Sequence, residues 1–423
     1  MAMFRGMRAD LLVYLSGLVF AVITTFASEF YGYRVWGNVA AVGYLIAFVH
    51  VCWLATGDRA SAPKVLRSRW TPVGVVGVLA LLAPMLYLMF RRSPNYVWGP
   101  WPWSFPSQPE VWVVERSARL LIDHGTPYMN LDALGRAPVP DDYTPYGPAM
   151  TIFGLPRALF GNSGITDARL MFVLGSAIAI GLALWVLGKP KVPVLAGLLV
   201  VASPLTTLIA STAGDDLPVI ALVVLATALA ARDHRPASAA WSGVVCALVV
   251  MMKLTALPAL GELAVFVLAR SRLRGFAAFI GALLATGAVI VVPVLVRDPG
   301  SFVEHVIKFP AGLGRAHSPA ASPLPGHLIA STGSAGHAIA LLLLLLAGGA
   351  MIAWLVLRPP RTGADAMLRI AVGLAAAILL APATRWGYLV YPVAMLGAMI
   401  AFRAVAEQRH EQDAGVIAGA RPG

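Results

Sequence analysis

The chain has 423 residues, 59% of them hydrophobic and only 12% charged, against about 25% charged in a soluble domain. Apolar runs recur from Leu11 to Phe402 and leave no room for a soluble domain beyond the loops, so composition points to an all-α, polytopic integral membrane protein. The net charge of +12 is no nucleic-acid footprint, because Lys and Arg gather in short loops on one side, as the positive-inside rule requires.

A membrane span takes about 20 apolar residues. In chain order the candidate runs are 9–28, 35–55, 73–90, 166–187, 192–210, 216–231, 237–252, 255–269, 276–296, 337–357, 367–383 and 387–402, about 12 transmembrane helices in a single domain over 1–423. The first run follows Arg5 and Arg8 without a small-residue cleavage site, and is expected to be a retained helix. Cys52 and Cys246 fall in apolar runs and read as core residues. Basic clusters separate alternate runs: Arg59, Lys64, Arg67 and Arg69; Lys189 and Lys191; Arg232 and Arg235; Arg270, Arg272 and Arg274; Arg358 and Arg361. Arg403 and Arg409 follow the last run. All share one side if both termini are cytoplasmic, which leaves two large extracytoplasmic loops, 91–165 and 297–336, and a cytoplasmic tail, 403–423. The stretch 148–160 is short and interrupted by Gly154, Pro156 and Arg157, so it reads as an interfacial helix rather than a span.

The 91–165 loop is the long polar interval of the chain and carries Trp98, Trp101, Trp103 and Trp112 among several acids. The tryptophans from Trp98 to Trp103 form either an aromatic belt or a platform for sugar stacking. Val111, Val114, Ala118 and Leu121 recur at spacings of three and four, which predicts a helix from Glu110 that Gly125 ends and a turn at Pro127 follows. Glu110 stands in its first turn, where the dipole favours the charged form. It is either an ordinary first-turn acid or a general base, with Asp141 and Asp142 as rivals. Asp215 and Asp216 lie between two apolar runs, as solvated helix-capping acids or as ligands of acceptor-sugar hydroxyls. A metal shared among Asp141, Asp142, Asp215 and Asp216 is the poorer reading, because no spaced ligand set is visible. No metal ligand is assigned and no cofactor is expected, although a metal ion stays open. Lys253, flanked by apolar residues, either pairs with Glu262 or offers a point charge to phosphate. Arg385 either snorkels or grips phosphate with its guanidinium fork. His305, His317 and His327 lack metal spacing and are expected in solvated loop.

The order of Glu110, its following apolar and small positions and Gly125-Thr126-Pro127-Tyr128 resembles the first outer loop of GT-C glycosyltransferases, and within them family 87, the polyprenyl-phosphate-mannose mannosyltransferases. Shorter matches follow at Tyr143-Thr144-Pro145-Tyr146-Gly147-Pro148, at Gly214-Asp215-Asp216-Leu217, at Met251-Met252-Lys253 through Pro258, and at Arg385-Trp386-Gly387-Tyr388 through Tyr391, so that the likeness runs over roughly residues 75–402. Two features depart from the family pattern: Glu110 stands where the family has Asp, and two more spans precede the loop. The resemblance implies a GT-C-like fold and an inverting transferase on the extracytoplasmic face of a bacterial inner membrane. Its partners would be a polyprenyl-phosphate sugar donor carrying mannose or another hexose, a glycan or glycolipid acceptor and the bilayer, with no nucleic acid. It also implies Glu110 as catalytic base, with Asp141 and Asp142 its rivals by their place in the same loop, and a phosphate-bearing donor for the outer cations Lys253 and Arg385 to bind. Tyr128, Tyr143, Tyr146, Asp215, Asp216, Tyr388 and Trp103 would bind substrate. The competing class is a twelve-span transporter or lipid-linked-sugar flippase, which would carry discontinuous helices and charges at the bilayer midplane.

Overall fold

A computed structural model describes residues 7–56, 61–92 and 105–419. These residues form helices and turns, with one isolated bridge between Ala321 and Thr384. In chain order the main helices are α1 (Arg8–Ala27), α2 (Tyr31–Thr56), α3 (Trp70–Arg91), α4 (Pro109–His124), α5 (Ala168–Val186), α6 (Val194–Val200), α7 (Pro204–Thr212), α8 (Asp216–Arg232), α9 (Pro236–Met252), α10 (Leu257–Arg297), α11 (Ser334–Leu357), α12 (Gly363–Leu380) and α13 (Val390–Gly419).

Eight helices among the described residues are long and apolar enough to cross a membrane, or nine if α6 and α7 form one bent span. This differs from the sequence reading for local reasons. The run 192–210 breaks by 42° between α6 and α7, where Pro204 starts a new helix. Runs 216–231 and 237–252 become α8 and α9, each of 17 residues, a rise of about 25 Å. Runs 255–269 and 276–296 join in α10, interrupted at Arg272, where φ is 56° and ψ is −167°. The stretch 148–160 is a 3₁₀ segment, Pro148–Phe153, followed by a helical turn and a half, Leu155–Phe160. The two meet at Gly154, where a Cβ would lie 2.4 Å from the Val114 carbonyl oxygen, so only glycine lets this stretch lie on α4.

Two apolar cores result. The smaller one holds α1, α2 and α3 together with Leu198, Ala202 and Leu208. Here the Tyr44 ring fills the space that a side chain at Gly17 would need, and its hydroxyl donates to the Ala202 carbonyl at 2.9 Å. Asp10 of α1 is fully buried and accepts both arms of the Arg69 guanidinium, at 2.9 and 2.6 Å. The larger core joins α4, α5, α8, α9, α10, α12 and α13. Its central element is α8, buried on nearly every side, in keeping with a helix that has no polar face. Asp216 opens α8 and Arg232 closes it, so the two lie about 24 Å apart along its axis.

The basic clusters from Lys189 to Arg361 converge at the Arg232 end. The Lys191 backbone exchanges hydrogen bonds with the Gln408 side chain, and His234 bonds the Arg270 carbonyl at 2.9 Å. The candidate site residues gather at the other end.

Candidate active site

Residue Glu110 owes its position to both ends of its neighbourhood. The Gln108 N–H donates to the Thr212 carbonyl at 2.9 Å, tying the start of α4 to the end of α7. Pro109 fills the first helical position, where a missing N–H costs nothing. Val111, Val114 and Ala118 are fully buried, and Gly125 closes the helix at φ 74° with its N–H on the Leu121 carbonyl. The apolar stripe thus fixes the rotation of α4 and sets Glu110 at the edge of the core. Its Oε1 pairs with the Arg385 guanidinium, and its Oε2 is buried with no hydrogen-bond partner among the described residues.

One turn and a half further along α4, Arg116 holds the segment that carries the rival acids. Its guanidinium donates to the carbonyls of Asp141 at 2.8 Å, Asp142 at 3.1 Å and Tyr143 at 3.3 Å. The two acids then differ. Asp142 accepts both arms of Arg136, at 2.6 and 2.8 Å, and the Val139 N–H at 2.8 Å. Arg136 and these bonds hold its carboxyl below the usual range. Asp141 is exposed at the mouth of the recess. The surrounding protein, and after it the charge of Glu110, pushes the Asp141 carboxyl up, against the pull of Arg116.

Beside them lies a buried cluster centred on Lys253. Its Nζ donates to Asp215 at 2.8 Å and to Asp216, and lies 5.5 Å from the ring centre of Tyr146 and 5.4 Å from that of Tyr388. The Tyr146 hydroxyl donates to Asp215 at 3.2 Å and the Tyr391 hydroxyl to Asp216 at 2.8 Å. Asp215, Asp216 and Lys253 are all buried, so the reading of the two acids as solvated loop residues is corrected. The alternative partner for Lys253 is corrected too. Glu262 faces Arg369 at 3.9 Å, and Arg369 lies over the Trp354 ring. A charge removed from water is tolerated only when paired, and two acids compete for Lys253. Tyr388 lies within reach of Lys253, Arg385, Asp216 and Glu110, and links this cluster to the Glu110–Arg385 pair.

Two tyrosines singled out in the sequence face elsewhere. Tyr128 is buried, donates to the Tyr146 carbonyl at 3.0 Å and stacks on His305. Tyr143 stacks on Phe309 with ring centres 4.1 Å apart and donates to Glu304 at 3.2 Å. Both pin the 299–316 segment onto the first loop. His305 is buried rather than solvated: its Nδ1 accepts the Thr144 N–H at 2.9 Å, which leaves Nε2–H to donate to the Met129 carbonyl at 2.9 Å. That pattern fixes the neutral tautomer, and burial lowers its pKa from the usual 6.5. Trp98, Trp101 and Trp103 lie outside the described residues, whereas Trp112 packs edge-on against Phe105. No group of three or more His, Cys, Asp or Glu is placed to hold a metal ion among the described residues.

The sequence reading overlooked a second charged layer beneath α4. Glu115 accepts both arms of Arg92, at 2.8 and 2.7 Å, and the Ala168 N–H at 3.0 Å, with Arg157 at 3.3 Å. Asp167 accepts Arg92 at 2.9 Å and both arms of Arg169 at 2.9 and 2.8 Å. Burial works to raise the Asp167 carboxyl, and Arg169 with Arg92 overcomes it and holds the group well below the usual range. The available signal was Glu115 itself, a charge at the i+4 position from Val111 and inside the apolar stripe.

The model of glycosyltransferase family 87 matches residues 143–382. The match takes in Asp215, Asp216 and Lys253, while Glu110, Asp141 and Arg385 lie outside it. No curated protein matches the chain.

Proposed function

The chain belongs to glycosyltransferase family 87, and from that premise we propose an inverting transferase that moves a hexose, mannose first among candidates, from a polyprenyl-phosphate donor to a glycan or glycolipid acceptor. The observation that carries this reading is the Glu110 carboxylate, held through Oε1 by Arg385 with its buried Oε2 unpartnered among the described residues. In the proposed step Oε2 takes the proton of an acceptor hydroxyl while that oxygen attacks the anomeric carbon from the face opposite the leaving group. The bond between that carbon and the phosphate oxygen breaks, and its electron pair leaves with polyprenyl phosphate. Arg385, a third exposed, is the cation positioned to meet the growing negative charge.

Lys253 takes a supporting part in this proposal. Two of its three N–H groups are spent on Asp215 and Asp216, so its charge orients these acids toward acceptor hydroxyls and adds a distant field to the phosphate. In the twelve-span form of the reading, α6 with α7, α8, α9 and both halves of α10 each cross the bilayer. Both termini then fall on the basic, cytoplasmic side of a bacterial inner membrane and the site falls on the extracytoplasmic side, in a GT-C-like arrangement.

The test is purified protein in lipid nanodiscs with radiolabelled polyprenyl-phosphate mannose and a panel of envelope lipids as acceptors. Transfer of label to one acceptor class is expected, and Arg385→Met should raise the donor KM or lower kcat while sparing acceptor affinity. Label that crosses sealed vesicles yet never joins an acceptor would favour the flippase class instead.

A further inference from the structure

At the end of the bundle opposite Asp216, a cavity of about 520 Å³ opens between the ends of α5, α8 and α12, the break in α10 and the Phe402–Arg409 stretch of α13. Its lining combines the apolar Leu187, Phe402 and Val405 with the polar Arg270, Arg409 and His234. No carboxylate lines it among the described residues. Two acids on the neighbouring turns are already engaged. Asp233 caps the Arg235 N–H at 2.9 Å and faces Arg232, and Asp365 accepts the backbone N–H groups of Arg361 and Thr362.

Arg270 carries the strongest signal. One arm donates to the Ala231 carbonyl at 3.0 Å, while its Nε is buried with no hydrogen-bond partner among the described residues. A buried donor left without a partner is destabilising, the more so on a charged group. His234 Nδ1–H donates to the Arg270 carbonyl at 2.9 Å, which leaves its Nε2 for another contact. Two like charges therefore share one cavity with an unsatisfied donor and an apolar wall. That combination suits an anion attached to hydrocarbon.

We propose that this cavity binds the phosphate of an anionic membrane phospholipid, with Arg270 and Arg409 on the phosphate and the first chain methylenes against Phe402, Val405 and Leu187. The lipid bridges α10 and α13 across a cavity whose lining holds no carboxylate among the described residues. A bilayer lipid is favoured over free phosphate because an apolar wall adds nothing to binding of the bare anion. The proposal is independent of glycosyl transfer, and its readout is lipid binding rather than activity.

Protein in neutral detergent is titrated with phosphatidylglycerol, phosphatidylcholine or inorganic phosphate, and adducts are counted by native mass spectrometry alongside the melting temperature. Phosphatidylglycerol should bind saturably and raise Tm, and the other two should do neither. The double substitution Arg270→Gln with Arg409→Gln should weaken phosphatidylglycerol at least tenfold, while Arg270→Lys retains most of it. Arg403→Gln, an exposed arginine outside the cavity, should stay within twofold. If the double variant does not fold, Arg409→Gln alone, at an exposed position, reads the loss. Equal binding by the wild type and the arginine variants would overturn the site. An equal effect of phosphatidylcholine, or of phosphate alone, would overturn the anionic lipid as its occupant.

Discussion

At the residue scale, the two oxygens of the Glu110 carboxylate differ: Oε1 is fixed by Arg385 and Oε2 has no hydrogen-bond partner among the described residues. A positioned general base contributes about 10²–10⁴-fold in rate, so Glu110→Gln should lower kcat by that order with little change in donor KM. Asp142→Asn should cost little in turnover, because its carboxylate is already taken by Arg136, a half-exposed partner of the kind that contributes little. Asp141→Asn is the informative rival, since its raised carboxyl is suited to accept a proton. Steady-state kinetics on the three variants in equally folded preparations separate them. Near-normal turnover in Glu110→Gln with collapse in Asp141→Asn would move the base to Asp141. His305 supplies a second expectation. The unfolded chain takes up its proton near pH 6.5 and the native protein only lower. Its contribution to stability is therefore full above about pH 6.5 and is lost as pH falls through the native value. Protonation at Nδ1 would also break the bond from Thr144. Melting temperatures from pH 7.5 to 5 should fall more steeply in wild type than in His305→Gln, and parallel curves would remove the histidine from the account.

At the element scale, α4 and the segment after Tyr143 act as one unit clamped by Arg116, Tyr128 and Gly147. The Gly147 N–H donates to the Met252 carbonyl at 2.9 Å, and a Cβ there would lie 2.1 Å from the Met251 oxygen. Backbone cannot yield as a flexible side chain does, so Gly147→Ala should destabilise by at least the ~1–3 kcal/mol typical of overpacking. It should also reduce turnover, because Tyr146 and Asp141 lie on the displaced segment. Gly181 in α5 has open space around it, so Gly181→Ala is the control and should leave Tm unchanged or slightly higher. Equal melting temperatures for the two variants would dissolve the supposed contact between the loop and α9. The Glu115 and Asp167 layer reinforces the unit from below, and breaking a buried pair by removing one partner costs about 3–5 kcal/mol. Its loss is accordingly expected in folding before chemistry.

At the scale of the whole molecule, α8 separates a mixed-charge end at Asp216 from a basic end at Arg232. The positive-inside rule assigns the basic end to the cytoplasm. In intact cells, an impermeant thiol reagent should label His317→Cys and spare Lys191→Cys, both at exposed positions. The reverse pattern would invert the orientation and with it the proposed extracytoplasmic site. On the two proposals above, the same asymmetry would separate sugar chemistry at one end from lipid binding at the other.

What the sequence determined by itself is local. The apolar runs, the start of α4 at Pro109, its buried stripe and its end at Gly125 follow from side chains within a turn or two of one another. The gathering of basic loops at one end was legible as well, because charge alternates with each apolar run. Partner choice was not legible. A buried carboxylate demands a counter-charge, but Asp216 could have met any of several cations, and the packing of α8 against α9 selects Lys253 over the Glu262 pairing. Glu110 and Arg385 stand 275 residues apart, and His305 and Thr144 stand 161 apart. No periodicity reaches across such distances. Tertiary structure decided these contacts, because the packing of helix ends, rather than the preference of any residue, sets which charges leave water together.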